Sequence, residues 1–418
     1  MKKIVFTLLI LCVFAFCLPF GKGSENAGFG TETEKACSGD KTAERTVEEF
    51  AATASLLNNE DTSFAKSAKS AYLIDSASGT VLFSRNENQR LTIASMTKIM
   101  LLNLAFEAVE NGTMTVDEQY VVSERASSMG GSQVFLQANK PYKIDDLLKS
   151  IVIASANDAS VAVAERLYGS EEACVNEMNA RCGEWGLENT LFSNCTGLPK
   201  TTQYSCAKDV AIMMKRLISY KEYFKYSNIW LDKLVHPDGQ ETVLTNTNRL
   251  VNFYDGCDGG KTGYTDEAGF CVSATAKRGN LRMICVVIGE PTSKERFKEV
   301  REMLDYSFSA FTSKAILDSD TPLDVNVDVK KGKEKTVDVL PSEGYSAFMK
   351  RNEKCEYSYD FTPFDNVVAP IEKGDEIGEI VVYKGGVEVA RIKAVAASSV
   401  QRKSFLDSVK EVIRNRSI

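Results

Sequence analysis

Three short segments carry side chains that could do covalent chemistry together: Ser95-Met96-Thr97-Lys98, Ser155-Ala156-Asn157 and Lys261-Thr262-Gly263. In the first, a hydroxyl and an amine stand three positions apart. If Ser95 opens a helix, that spacing brings Lys98 onto the hydroxyl's face. A neutral amine within hydrogen-bond reach can then take the serine proton and make a weak nucleophile a strong one. Lysine is ordinarily protonated at neutral pH, so burial or a nearby cation must lower its pKa, and Lys261 is a candidate for that cation. An anionic serine oxygen at a helix start also gains from the positive end of the helix dipole. Ser155 could relay a proton to a leaving amine, and Asn157 could hydrogen-bond a substrate amide. Lys261 and Thr262 could face a substrate carboxylate, while Gly263 lets a peptide backbone approach and add as an extra strand. Taken singly, each segment has a simpler explanation. Ser95, Ser155 and Asn157 are favoured helix caps, and Asp258-Gly259-Gly260 before Lys261 reads as a Gly-rich turn. Only serine acyl transfer with a lysine base accounts for all three in this order.

The elements that must position these residues follow from periodicity. Residues 144–153 and 159–168 read as helices on either side of Ser155-Ala156-Asn157, with 171–185 and 207–220 completing a helical block and 295–311 a closing helix. Apolar runs at 71–75 and 81–84 meet at Ser78-Gly79, and runs at 270–277 and 281–289 meet at Arg278-Gly279-Asn280, two hairpin signals. Strands at both ends with helices between predict an α+β catalytic domain over 67–312, an antiparallel sheet of distant segments with a helical lobe against it. Short alternating runs within 318–397 predict a small all-β domain, a sandwich. Residues 401–418 return to a helical period, with Phe405, Leu406, Val409, Val412 and Ile413 on one face and a basic polar side. Such a helix could lie at a membrane surface. At the other end, Lys2 and Lys3 precede an apolar run too short to span a bilayer, so 1–20 reads as a signal peptide and 21–66 as a polar linker.

Composition excludes several classes. With 44% hydrophobic and 26% charged residues the chain is globular rather than disordered. A net charge of -7 argues against nucleic acid as a partner. The single histidine, His236, excludes multi-histidine zinc sites, and beside Pro237 it reads as an exposed loop residue. Of eleven cysteines, Cys12 and Cys17 lie in the leader, and the rest show no Cys-x-x-Cys pair. They read mostly as free thiols, Cys271 and Cys285 acting as small hydrophobes in strands. No metal or cofactor is implied.

The ordered segments resemble those of the penicillin-recognising serine enzymes, and within them the D-alanyl-D-alanine carboxypeptidases, over about 67–370. Ser193-Asn194-Cys195-Thr196-Gly197-Leu198, Asn246-Thr247-Asn248-Arg249-Leu250 and the run from Asp258 to Thr265 are similar to that family's own. The resemblance implies that Ser95 is the acylated nucleophile and Lys98 its base, with Ser155 the third catalytic group. It implies that Asn157, Lys261, Thr262, Gly263, Tyr264 and Arg296 bind substrate. Backbone N–H groups of Ser95 and Tyr264 would form the oxyanion hole, and Arg296 would lie near the terminal carboxylate. It further implies a β-lactamase/transpeptidase-like fold, peptidoglycan stem peptides as substrate, β-lactams as acylating agents and export. The terminal helix would hold the enzyme on the outer face of the cytoplasmic membrane. Many relatives have Ser-Gly-Asn in the middle segment, and Ala156 is a small departure. Two alternatives stay open. A serine β-lactamase shares the three segments, and Glu172, expected mid-helix, is the nearest candidate for its deacylating glutamate. A catalytically silent wall-binding scaffold could use the same fold.

Overall fold

A computed structural model describes residues 64–354 and 356–404. The expected signal peptide, the linker up to residue 63, residues 405–418 of the expected terminal helix, Cys37 and Cys355 lie outside them. Residues 401–404 of that expected helix are not helical, because Arg402 bridges to Gly332 and the Gln401 carbonyl accepts from the Lys333 N–H.

Distant parts of the sequence build one sheet. Strand β1 (Ser70–Asp75) pairs with β2 (Val81–Arg85) and with β9 (Leu281–Glu290). In turn β9 pairs with β8 (Gly269–Arg278), and β8 with β7 (Cys257–Thr265). Every pairing is antiparallel and the order is β2-β1-β9-β8-β7. The apolar run Met283-Ile-Cys-Val-Val-Ile288 makes β9 the central strand, because its two faces both need cover. Side chains alternate across a strand, and the two cores follow that alternation. Tyr72, Ile74, Ile284, Val286 and Ile288 face one core, while Ala71, Leu73, Met283, Cys285 and Val287 face the other. Each fully buried large aliphatic side chain contributes about 1.5–3 kcal/mol, so this strand is the fold's main anchor.

The first core is shared with the helical lobe. It contains α1 (Lys98–Glu110), α3 (Ile144–Ala154), α4 (Asn157–Tyr168), α5 (Glu171–Glu184) and α6 (Ala207–Leu217). The short helices α2 (Glu124–Ser127) and α7 (Phe224–Ser227) fill between them, while α8 (Leu250–Phe253) packs its Leu250 into the second core. Two hairpin pairs also fill between the lobe's helices, β3 (Gln119–Val121) with β4 (Pro141–Lys143), and β5 (Leu231–Val235) with β6 (Glu241–Thr245). Helix α9 (Ser293–Ala310) covers the opposite sheet face through Val300, Met303, Leu304 and Phe308. It starts where Thr292 and Glu295 cap it reciprocally. Thr292 Oγ1 accepts from the Glu295 N–H at 3.1 Å and donates to Glu295 Oε2 at 2.8 Å. That cap fixes Arg296, the next residue, in the helix's first turn.

Beyond α9 the described residues are all-β. Strand β10 (Phe311–Leu317) pairs with β13 (Tyr345–Lys350). A five-stranded antiparallel sheet joins β11 (Asn326–Asp328), β12 (Thr336–Pro341), β16 (Val387–Ala396), β15 (Glu376–Lys384) and β14 (Tyr357–Pro363) in that order. Val339, Ile380, Val382, Ile392 and Ala394 are its core. The closing helix predicted through 311 stops at Ala310, and Phe311 opens β10 instead.

His236 departs from the expectation of an exposed loop residue. It is buried, its Nδ1 at 2.8 Å from Tyr142 Oη and its Nε2 at 2.8 Å from Thr242 Oγ1. The reason is the β5–β6 turn, which folds the ring back against Tyr142. The seven described cysteines outside the leader are free and buried, as expected of small hydrophobes.

Candidate active site

Ser95 does not sit within α1 but in a tight 3-10 turn, Ala94–Thr97, that runs into it. Ala94 holds the left-handed φ of 46°, an uncommon state for a residue with a Cβ and a sign that neighbours fix the turn. Two glycines press on it. A Cβ at Gly197 would strike the Ala94 carbonyl, and one at Gly263 would strike the Ile93 carbonyl. The glycine of Lys261-Thr262-Gly263 is therefore required by the approach of β7 to the nucleophile's own turn.

Lys98, the first residue of α1, is fully buried. Its Nζ lies 3.1 Å from Ser95 Oγ, 2.7 Å from Asn157 Oδ1 and 2.6 Å from the Thr196 carbonyl. Burial pushes its pKa down to about 7, against a smaller upward pull from Cys195 and Asp158. Desolvation by the apolar lobe is the largest cause, ahead of any neighbouring charge.

Ser155 ends α3 in the left-handed state, φ 61°, and Asn157 already begins α4. The predicted loop tip between helices is thus a sharp corner of Ser155 and Ala156 that turns both polar side chains inward. Ser155 Oγ accepts from Lys261 Nζ at 2.7 Å. Asn157 gives one amide hydrogen to the Gly130 carbonyl at 2.7 Å, which leaves one for a ligand. Lys261 is buried and held well below the ordinary lysine range, by burial first and then by the charges of Lys98 and Arg296.

Lys261, Thr262, Gly263 and Tyr264 follow one another along β7, which is an edge strand of the sheet. Tyr264 is 52% exposed and stacks on Phe270 with ring centroids 4.3 Å apart. Arg296 donates to the Cys271 carbonyl at 3.1 Å, the Gly263 carbonyl at 3.4 Å and Ser293 Oγ at 3.2 Å, and its Cζ lies 4.3 Å from the Phe297 ring centroid. Its buried Nε has no partner among the described residues. Burial lowers its pKa to about 10, so it stays charged at neutral pH. Among the described residues, no carboxylate pairs with Lys98, Lys261 or Arg296. The structure thus gathers all nine sequence-predicted site residues around one corner between β7, α1 and the α3–α4 turn.

Sequence reasoning gave no role to the turn at Asn194. Asn194 Oδ1 accepts from the Thr196 N–H at 3.2 Å and the Gly197 N–H at 2.7 Å, and this presents the Thr196 carbonyl to Lys98. Its traces in the sequence are the Asn-x-x-Gly pattern and the family-like run from Ser193 to Leu198. Glu172 is in the first turn of α5, not mid-helix, with its side chain 67% exposed and 2.8 Å from Arg125. A cavity of about 560 Å³ lined by Thr80, Phe311, Phe348 and Lys384 lies elsewhere and contains none of these groups.

The chain matches the D-alanyl-D-alanine carboxypeptidase family over residues 57–292 and the penicillin-binding protein 5 C-terminal domain over residues 311–402. It is 42% identical over 350 residues to the D-alanyl-D-alanine carboxypeptidase DacF of Bacillus subtilis, covering 84% of this chain and 90% of that one. Penicillin binding protein 5 from Haemophilus influenzae superposes with a TM-score of 0.63 at 28% identity, over 80% of this chain and 98% of that one. Penicillin-binding protein D2 from Listeria monocytogenes, in its ampicillin-bound form, gives a TM-score of 0.52 at 29% identity, over 58% of this chain and 98% of that one. With a buried amine beside a serine hydroxyl and likeness along both parts of the chain, the protein belongs to the D-alanyl-D-alanine carboxypeptidase family of penicillin-recognising serine enzymes.

Proposed function

We propose that this serine D-Ala-D-Ala carboxypeptidase works through an acyl-enzyme on Ser95, with peptidoglycan stem peptides as substrate and β-lactams as acylating inhibitors. The carrying observation is Lys98 Nζ, buried and 3.1 Å from Ser95 Oγ, with its pKa brought to about 7. Neutral Lys98 takes the Ser95 proton as Oγ adds to the carbonyl of the penultimate D-alanine. The oxyanion is received by the N–H groups of Ser95 and Tyr264. As the C–N bond breaks, the proton passes from Lys98 through Ser155 to the leaving D-alanine nitrogen. Water then adds to the ester, gives its proton to Lys98, and Ser95 leaves with that proton. Asn157 binds the substrate amide, and Gly263 permits the peptide to lie along the β7 edge. Release of D-alanine from a pentapeptide, blocked stoichiometrically by a β-lactam, tests the proposal. Fast turnover of the β-lactam itself would favour the lactamase reading, and inert protein the scaffold.

Lys261, Thr262 and Arg296 read the free terminal carboxylate, because Lys261 and Arg296 meet no protein carboxylate among the described residues and Arg296 Nε has no partner there. Guanidinium suits a carboxylate bidentately. Arg296→Ala is expected to lower kcat/KM on free-acid peptides by about 100-fold, the upper range for a charged hydrogen-bonded contact. C-terminal amides are expected to change little. Equal loss on both would make Arg296 structural.

Residues 1–20 direct export, which suits an enzyme acting on the cell wall, and 401–418 hold the enzyme at the membrane surface. Both readings rest on the sequence pattern; no helix of the described residues is long and apolar enough to cross a membrane. Each Lys or Arg near anionic lipid adds about 1 kcal/mol. Deleting 401–418 is expected to leave an active enzyme that no longer binds anionic vesicles, whereas the full chain binds them in a salt-sensitive way. A full chain that ignores such vesicles overturns the anchor.

A further inference from the structure

Behind the catalytic lysine lies a carboxylate that none of the three segments contains. Glu171, the first residue of α5, is buried, with its side chain only 8% exposed. Its Oε1 accepts from the Cys195 backbone N–H at 3.1 Å and from the Cys195 thiol at 3.4 Å. Its Oε2 accepts from Arg125 Nη2 at 2.6 Å. The residue after Cys195 supplies the carbonyl that receives Lys98 Nζ at 2.6 Å. The turn from Asn194 to Leu198 is thus gripped from both sides. Asn194 organises it from within, and Glu171 ties it to α5 from without. Gly197 at its tip leaves no slack, because it already touches the Ala94 carbonyl of the nucleophile's turn.

We propose that Glu171 is a positioning residue for the acylation step: it anchors the Cys195–Thr196 segment so that the Thr196 carbonyl holds the Lys98 amine against Ser95. The carboxylate touches neither substrate nor Lys98 and acts only through that backbone. A buried carboxylate is costly unless it is fully hydrogen-bonded. Here two acceptor oxygens meet an N–H, a thiol and a guanidinium, which suits a group retained for geometry. The charged and titratable groups facing it are Arg125, Cys174 and Cys195. Those acting on Lys98 are Cys195 and Asp158, and Lys98 in turn acts on Lys261. The inference rests on the reading of Lys98 as the base.

The test is the second-order rate of β-lactam acylation across pH for the full chain, with thermal melting as a check on folding. Glu171→Ala is expected to slow the plateau rate by about 100-fold, the cost of a misplacement near 1 Å. Its acid limb is expected to move to lower pH, because Lys98 loses a carbonyl that favours the ammonium form. Glu171→Gln keeps an acceptor for the Cys195 N–H and is expected to stay within about threefold of wild type. Glu171→Asp keeps the charge toward Arg125 but withdraws the acceptor, so it should resemble the alanine variant in both rate and limb. If Glu171→Ala does not fold, Glu171→Asp and Glu171→Gln decide alone. An unmoved limb with wild-type rate in Glu171→Asp overturns the proposal, and so does Glu171→Gln as slow as Glu171→Asp. Lys98→Arg, measured alongside, separates the two readings: if it acylates normally, the base assignment fails, whatever Glu171 does.

Discussion

Ser95→Ala is expected to lose D-alanine release by at least about 1000-fold, since nucleophile and base act as a unit and removing either forfeits nearly the whole covalent route. The structure isolates the effect. The Ser95 side chain makes its described contact with Lys98 Nζ at 3.1 Å, while Lys261 and Arg296, proposed to face the ligand, are held by other partners. The variant should therefore still bind a pentapeptide with an affinity within a few-fold of wild type while forming no covalent adduct. Equilibrium binding and intact mass after β-lactam exposure check both halves. An adduct of normal mass on the variant would place the nucleophile elsewhere.

Lys98→Arg is the second large effect, expected at about 100- to 10,000-fold in acylation, the range general-base catalysis contributes. Charge is retained, but guanidinium stays protonated and cannot accept the serine proton. The wild-type profile carries the sign of the same argument. Burial lowers the Lys98 pKa to about 7, and only the neutral amine is a base. The acylation rate should therefore fall as pH drops through about 7 and level off above it. A rate flat through that region, or rising toward acid, contradicts the assignment. Stopped-flow acylation at a series of pH values on both proteins is the measurement.

The approach of Ser95 to Lys98 was legible in sequence because its geometry is local: a spacing of three through one tight turn brings hydroxyl and amine together. The rest of the site was legible only as residue types. That Ser155 turns inward depends on a left-handed corner, φ 61°, which nothing about a serine between two helices dictates. For the low pKa of Lys98 the sequence leaves burial and a neighbouring cation open; burial is the largest cause, and burial is a property of the assembled lobe. Thr196 acts through a backbone carbonyl, which no side-chain pattern records. Glu171 meets Cys195 across 24 positions of sequence, with only the folded turn to join them.

The fold shows the same division. β1, β2, β8 and β9 were readable from apolar runs and turn residues. The segment before β8, Asp258-Gly259-Gly260, allowed a Gly-rich turn as the simpler reading, and it is part of β7. Its glycines are there for packing. A Cβ at Gly260, φ +134°, would strike the Ser273 carbonyl of the paired strand, and one at Gly259 would crowd Tyr223 Oη. The β5–β6 hairpin escaped notice because each strand buries mainly one residue, Leu234 and Leu244, so no alternation stood out. His236 was misread for a related reason: its partner Tyr142 lies 94 positions away.

Peptide mapping of the β-lactam adduct tests the central claim most directly. The protein is acylated with a penicillin above pH 7, digested, and the modified residue located by fragmentation, with D-alanine release followed in the same sample. The expected result is one adduct per chain, on Ser95, with carboxypeptidase activity lost in step with its formation. An adduct on any other residue, or full D-alanine release from a completely acylated enzyme, would contradict it.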